Sequence, residues 1–304
     1  MARAEGGEAI LAAVGATQSQ ALATPSVADE PARIHRIQPS RWLVPVDFGE
    51  LWRYRELVRF FVLRDAKSRY RQTYLGPLWA ILRPLLTIVV FSAIFGGLAG
   101  ISPGTNIPYP LWVTPAVLAF GYVSTALTNT SSSLVSNSNV ITKVYFPRLY
   151  VPVSTSLTPI IDFLLGLLVL LSLFVYYREA PSWHIVFLPA FFALAALIVV
   201  GVGLWLSSFT ARYRDVIFGV PFLVQIWQYA TPVIYPVSFV PEKYRWLLTL
   251  NPFTAVVEGF RWSLLGLPFG SLVPLVASLS IAVAVTTSGL FVFRRTERLM
   301  VDLL

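Results

Sequence analysis

Ile185–Phe209, IVFLPAFFALAALIVVGVGLWLSSF, carries no charged side chain, and its reading decides the class of the chain. A helix crosses the hydrocarbon layer with about 20 mainly apolar residues, and this stretch is longer than that. Five further blocks share its character: Pro77–Leu98, Leu111–Ser133, Leu149–Tyr177, Val216–Tyr235 and Leu272–Phe293. The composition agrees, with 56% hydrophobic and 12% charged residues in 304, where soluble domains carry about a quarter charged. The chain therefore reads as an all-α polytopic membrane protein with six transmembrane helices.

The excess of Lys+Arg (23) over Asp+Glu (15) gives a net charge of +8, which in a soluble protein would point to nucleic acid. Placement excludes that reading. Only Arg178, Lys243, Arg245 and Arg261 fall on one side of the six blocks, and the remaining nineteen cations fall on the other. The positive-inside rule then puts both termini in the cytoplasm of a multi-pass inner-membrane protein. Cysteine is absent, and His35 and His184 stand alone, so thiolate chemistry, disulfides and a histidine-rich metal centre are excluded.

Residues 1–47 are rich in Ala, Gly, Ser and Pro without a sustained period and read as a disordered cytoplasmic tail. The apolar run Ala9–Ala16 lacks the preceding positive region of a signal peptide, because Glu5 and Glu8 lie there. Residues 48–76 change pattern: Leu51, Tyr54, Leu57, Val58 and Phe61 recur at helical spacing, with Arg53, Glu56, Arg59, Arg64, Lys67 and Arg71 opposite. This predicts an amphipathic interfacial helix, either a basic anchor on anionic lipid or a specific binding element. Residues 77–304 form the membrane domain. Within it Pro241–Leu250 and Asn251–Leu267, carrying Trp246, Phe253, Phe260 and Trp262, predict two short re-entrant outer helices between spans five and six. An outer loop with interfacial aromatics is the alternative.

Chemistry is sparse. There is no GxxxxGK[ST], HExxH or GxSxG stretch and no acidic pair spaced for metal and sugar nucleotide, which disfavours hydrolases and processive sugar polymerases. No span repeats arginine as a voltage sensor does. Asp162 falls well inside the third block, where a carboxylate costs about 2.5–3.5 kcal/mol. It is either a structural acid bonded to a neighbouring helix or a group on the transport path.

Four stretches taken in order, TYLGPLWAILRPLL (Thr73–Leu86), NSNVITKVYFPRLYVPVS (Asn137–Ser154), RYRDV (Arg212–Val216) and LNPFTAVVEGFRWSLLG (Leu250–Gly266), resemble the permease subunit of ABC-type polysaccharide exporters. The resemblance extends from about Phe48 to the carboxyl end. It implies an amino-terminal gate helix at 48–76, a coupling helix at 137–148 that docks on a separate ATPase, and outer gate helices at 241–267. It further implies a homodimer with two ATPase copies, which hold the ATP and Mg; the chain itself has no cofactor and no catalytic residue.

On that footing Asn137, Asn139, Lys143, Tyr145, Phe146 and Arg148 are the expected coupling residues, with Arg212 and Arg214 near the same interface. An ordinary cytoplasmic turn is the plain alternative, though two adjacent large aromatics there need a partner. The family's substrates are lipid-linked glycans, so Arg69, Arg71 and Arg83 are candidates for the pyrophosphate, which guanidinium forks bind bidentately. Trp79, Phe91, Phe95, Phe222, Trp227, Tyr229 and Tyr235 are candidates for a glycan canal between protomers, and Phe253, Glu258, Arg261 and Trp262 for the outer gate. A permease for drugs or small lipids, and from another class a membrane glycosyltransferase or scaffold, are the competing readings.

Overall fold

The computed structural model describes residues 55–70, 74–143 and 146–297, and all regular structure among them is helical. The predicted tail, the start of the basic helix, Arg71 and Tyr145 lie outside the described residues. The elements are α1 (Arg55–Tyr70), α2 (Leu78–Phe91), α3 (Tyr109–Ser136), α4 (Ser138–Lys143), α5 (Tyr150–Leu157), α6 (Ile160–Tyr177), α7 (Leu188–Arg212), α8 (Val216–Ala230), α9 (Arg245–Leu250), α10 (Pro252–Leu265) and α11 (Leu272–Glu297). A π-wound segment, Ser92–Leu98, continues α2.

Five helical stretches are long and apolar enough to cross a membrane: Leu78–Leu98, Tyr109–Ser136, Tyr150–Tyr177, Trp183–Arg212 and Leu272–Glu297. The predicted fifth span, Val216–Tyr235, differs. It forms only the 15-residue α8, about 22 Å long at 1.5 Å per residue, and the chain leaves the helix at Thr231. Length and apolarity alone thus give five crossings and one shorter apolar helix.

α3 is the central post. It is buried around most of its circumference and packs on α7, α5, α10, α8, α6 and α2. The most extensive helix pair is α7 with α11, made possible by two glycines. A Cβ on Gly289 would lie 2.6 Å from the Gly201 carbonyl oxygen, and one on Gly201 would lie 2.7 Å from the Thr286 backbone nitrogen. Apolar helices in lipid gain no hydrophobic free energy by meeting, so close approach through small residues and interhelical hydrogen bonds substitutes for it. Trp205 Nε1 donates to Ser288 Oγ at 3.1 Å and Thr286 Oγ1 to the Leu197 carbonyl at 3.0 Å across this seam.

Local signals set the boundaries. Asn251 caps α10, its Oδ1 accepting from the Phe253 amide at 3.1 Å, and Pro252 follows at the first helical position. Gly266 ends α10 at φ 68°, the left-handed conformation that favours glycine. Arg178 ends α6 in the same conformation, φ 57°, with a side chain that disfavours it. Arg178→Gly is expected to raise stability by about 1 kcal/mol, read as a higher midpoint of thermal unfolding in detergent.

Candidate functional site

The third span is broken at Thr158–Pro159, and the break fixes where its acid sits. At 1.5 Å per residue α6 alone extends about 27 Å, close to the hydrocarbon thickness. The preceding α5 carries Ser154, Thr155 and Ser156, and Thr158 follows at its end, each hydroxyl donating to a backbone carbonyl three or four residues earlier. Asp162 therefore lies in the first turn of the fully apolar segment, next to the polar end of the span.

α1 runs alongside α5 and is tied to the membrane domain at three levels. Phe61, 4% exposed, meets Phe146 with ring centroids 5.6 Å apart. Arg64 Nη2 donates to Asn137 Oδ1 at 2.7 Å and to Asp65 Oδ1 at 2.7 Å, and its guanidinium lies 4.6 Å from the Phe61 ring centre. Arg69 Nη1 donates to Asp162 Oδ2 at 2.5 Å. A charge-assisted bond between half-buried side chains is stronger than a neutral one. Asp162 thus meets a neighbouring helix, and that helix is α1.

Two cavities adjoin this pair. The lower, about 450 Å³, is polar and lined by Arg64, Ser68, Asn129, Ser132 and Ser136 among others. The upper, about 470 Å³, is lined by Trp79, Arg83, Phe120, Tyr122, Thr125, Asp162 and Gln228 among others. Arg69 lines both. Sequence reading missed the wall they share: Tyr122, Thr125, Asn129, Ser132 and Ser136 follow one another at steps of three and four along α3, which places them on one helical face. That polar stripe inside an apolar block was the available signal. Asn129 Nδ2 on it is buried and has no hydrogen-bond partner among the described residues.

Of the arginines considered for a pyrophosphate, Arg69 and Arg83 come together on the upper cavity, with Arg83 exposed. The canal candidates do not assemble within the chain. Trp79 lines the upper cavity; Phe91 and Phe95 meet edge to face at 5.7 Å and pack against the core; Phe222 and Tyr229 lie on the bare face of α8. Trp227 Nε1 donates to Asn251 Oδ1 at 3.1 Å, and the Tyr235 hydroxyl to the Tyr229 carbonyl at 3.2 Å.

The coupling candidates divide. Asn139, Lys143, Arg212 and Arg214 are exposed and available to a partner. The other described ones have internal partners: Phe146 has Phe61, Asn137 has Arg64, and Arg148 Nη1 donates to the Glu297 carbonyl at 2.9 Å at the end of α11. The aromatic's required partner is therefore found, for Phe146, inside the chain.

After α8 the chain turns at residues 231–234, all buried; the Val233 amide donates to the Thr231 carbonyl at 2.7 Å, and side chains satisfy the next three carbonyls. Arg261, 1% exposed, donates to the Pro232 and Val233 carbonyls at 2.8 and 2.7 Å, and to Glu258 Oε1 at 2.8 Å. Its guanidinium lies 3.6 Å from the Trp112 ring centre, a cation–π geometry. The Tyr109 hydroxyl donates to the Ile234 carbonyl at 2.7 Å, and Asn251 Nδ2 to Thr231 Oγ1 at 2.9 Å. The i, i+3 pair of Glu258 and Arg261 is present, but the arginine's larger task is holding this break. Phe253 is buried edge-on against Phe120 and Trp227, and Trp262 joins His184, Phe187, Phe191 and Phe269 in an aromatic cluster.

The chain is thus a multi-pass helical protein with a polar cavity and a basic helix tied against it. The sequence profile of the ABC-2 type transporter matches residues 56–265, and the chain belongs to that family, whose members are permeases and not themselves enzymes. It is 29% identical over 253 residues to the O-antigen export system permease protein RfbA of Myxococcus xanthus, covering 82% of this chain and 96% of that protein. It is 27% identical over 196 residues to the protein of the same name from Klebsiella pneumoniae, covering 64% of this chain and 74% of that one.

Proposed function

We propose that the chain is the permease subunit of an ATP-driven exporter that carries a lipid-linked cell-envelope polysaccharide from the cytoplasm across the inner membrane. Two copies pair around a canal, two copies of a separate ATPase bind ATP and Mg beneath them, and both termini are cytoplasmic. The short α8 then serves as a fifth crossing, continued by the buried break, and α9 and α10 re-enter from the outer side. The names of the relatives support the substrate class. The bare apolar faces of α2 and α8, with Leu85, Val89, Phe218 and Phe222 exposed, support a contact with a second copy or with lipid.

One observation carries the coupling: the ladder from Phe146 and Asn137 through α1 to Asp162. Force applied by an ATPase to the exposed residues of α4, and to the turn holding Arg212, is delivered through α1 to the wall of the cavity. Substrate then meets Arg69 and Arg83 from the cytoplasmic side, and α1 moves as a rigid body when the ATPase closes.

Co-expression of the full chain with its ATPase, followed by pull-down and measurement of ATP hydrolysis, tests this. Lys143→Glu with Arg212→Glu is expected to reduce recovery of the ATPase at least about tenfold, a loss of ~1.4 kcal/mol or more. Phe61→Ala is expected to retain the ATPase and lose stimulation of its turnover by lipid-linked glycan. Recovery of no ATPase by the wild-type chain, with normal glycan export in cells lacking it, would overturn the reading.

A further inference from the structure

The Arg69–Asp162 pair stands where the two cavities meet, with Arg69 on the walls of both and Asp162 and Arg83 on the wall of the upper one. A cation at this level has a selection problem. The cytoplasmic leaflet contains anionic phospholipids carrying a single phosphodiester charge, and two unoccupied guanidiniums within reach of their heads would collect them. Arg69 is not unoccupied, because Asp162 holds it at 2.5 Å with both side chains about a third exposed or less.

We infer that Asp162 is a specificity-determining residue: an internal carboxylate that a lipid head must displace from Arg69, which a diphosphate accomplishes and a single phosphodiester does not. The inference rests on the lipid-pyrophosphate reading above. A phosphodiester offers Arg69 about the charge that Asp162 already offers, so exchange gains nothing and costs the ordering of the lipid. A diphosphate offers more than one charge and several strong acceptor oxygens, so it engages Arg69 and Arg83 together. Its further oxygens can accept from donors on the same walls, among them Gln228, the hydroxyls of Ser124 and Thr125, and the buried amide of Asn129 below. A displaced Asp162 still lines the upper cavity, together with Ser124 and Thr125. A cavity lacking the acid would bind anionic lipids with less regard to charge.

Binding to the full-length chain with its ATPase in nanodiscs tests this, with radiolabelled farnesyl diphosphate as the probe and farnesyl methyl phosphate, a phosphodiester, as competitor. Discs of phosphatidylcholine alone are compared with discs that also contain phosphatidylglycerol. The wild type is expected to prefer diphosphate at least about tenfold and to ignore phosphatidylglycerol. Asp162→Asn is expected to lose most of that preference and to become sensitive to phosphatidylglycerol, while Asp162→Glu keeps both wild-type properties. An Asn variant with unchanged selectivity overturns the inference and leaves the lipid-pyrophosphate reading standing. A wild type that binds no diphosphate overturns that reading and the inference with it. Should Asp162→Asn not fold, Asp162→Ser, which removes the carboxylate and keeps Arg69, decides: loss of the preference for diphosphate is expected, and an unchanged preference refutes the inference.

Discussion

Arg261→Met is expected to cost the permease about 3–5 kcal/mol and to leave little folded protein in detergent extracts, because removing one member of a buried charged network strands the rest. The substitution removes the donors to the Pro232 and Val233 carbonyls and the partner of Glu258 in one step. Backbone carbonyls in a lipid-embedded bundle have no water to turn to, and no backbone donor among the described residues bonds the Pro232 or Val233 carbonyl. Methionine fills much of the volume, so the loss reports hydrogen bonding more than a cavity. Glu258→Gln keeps an acceptor for the guanidinium but removes the counter-charge of a buried arginine, and should cost about 2–3 kcal/mol, less than the loss of Arg261 because the Glu258 side chain is one-third exposed. Fluorescence-detected size-exclusion chromatography after a heating series measures both. A melting midpoint for Arg261→Met equal to that of wild type would mean that the 231–234 break is held without this arginine.

The seam between α7 and α11 predicts the second large effect. Gly289→Ala places a methyl 2.6 Å from a backbone oxygen, a contact that no rotamer change relieves, so the two helices must move apart. Overpacking of this kind costs about 1–3 kcal/mol, and the Trp205–Ser288 and Thr286–Leu197 hydrogen bonds stretch with it. Gly289→Leu is expected to abolish folded protein. Gly219 on α8 has nothing within 4 Å of a built Cβ, so Gly219→Ala should be neutral or stabilising by up to about 1 kcal/mol, the usual helix-propensity difference. The same chromatographic melting series checks all three. Equal behaviour of the 219 and 289 variants would show that the helices are not in intimate contact.

Much of this arrangement is legible before folding, and the legible part is local. Apolar blocks define the crossings, Asn251–Pro252 and Gly266 mark the ends of α10, and the spacing of Glu258 and Arg261 declares their pair. Legibility fails where a side chain's partner is far along the chain. Nothing near Phe146 reveals that Phe61 receives it, and nothing near Arg261 reveals that carbonyls 28 and 29 residues earlier need its donors. Hydropathy averaged over Leu149–Tyr177 likewise conceals that four hydroxyls and a proline divide the span, which is what moves Asp162 from the middle of a block to the start of a helix. The stripe on α3 lies between these cases. Its spacing is visible in the sequence, but its meaning depends on α1 closing over it.

The ladder along α1 works in both directions. If the turn at Asn137 and the carboxylate at Asp162 each grip a different rung of the same helix, then the free energy by which nucleotide at the ATPase weakens the upper grip equals the free energy by which occupancy above alters nucleotide affinity below. Under the function proposed above, a glycan lipid waiting in the cavity would announce itself to the ATPase as a changed affinity for ATP before any transport occurs.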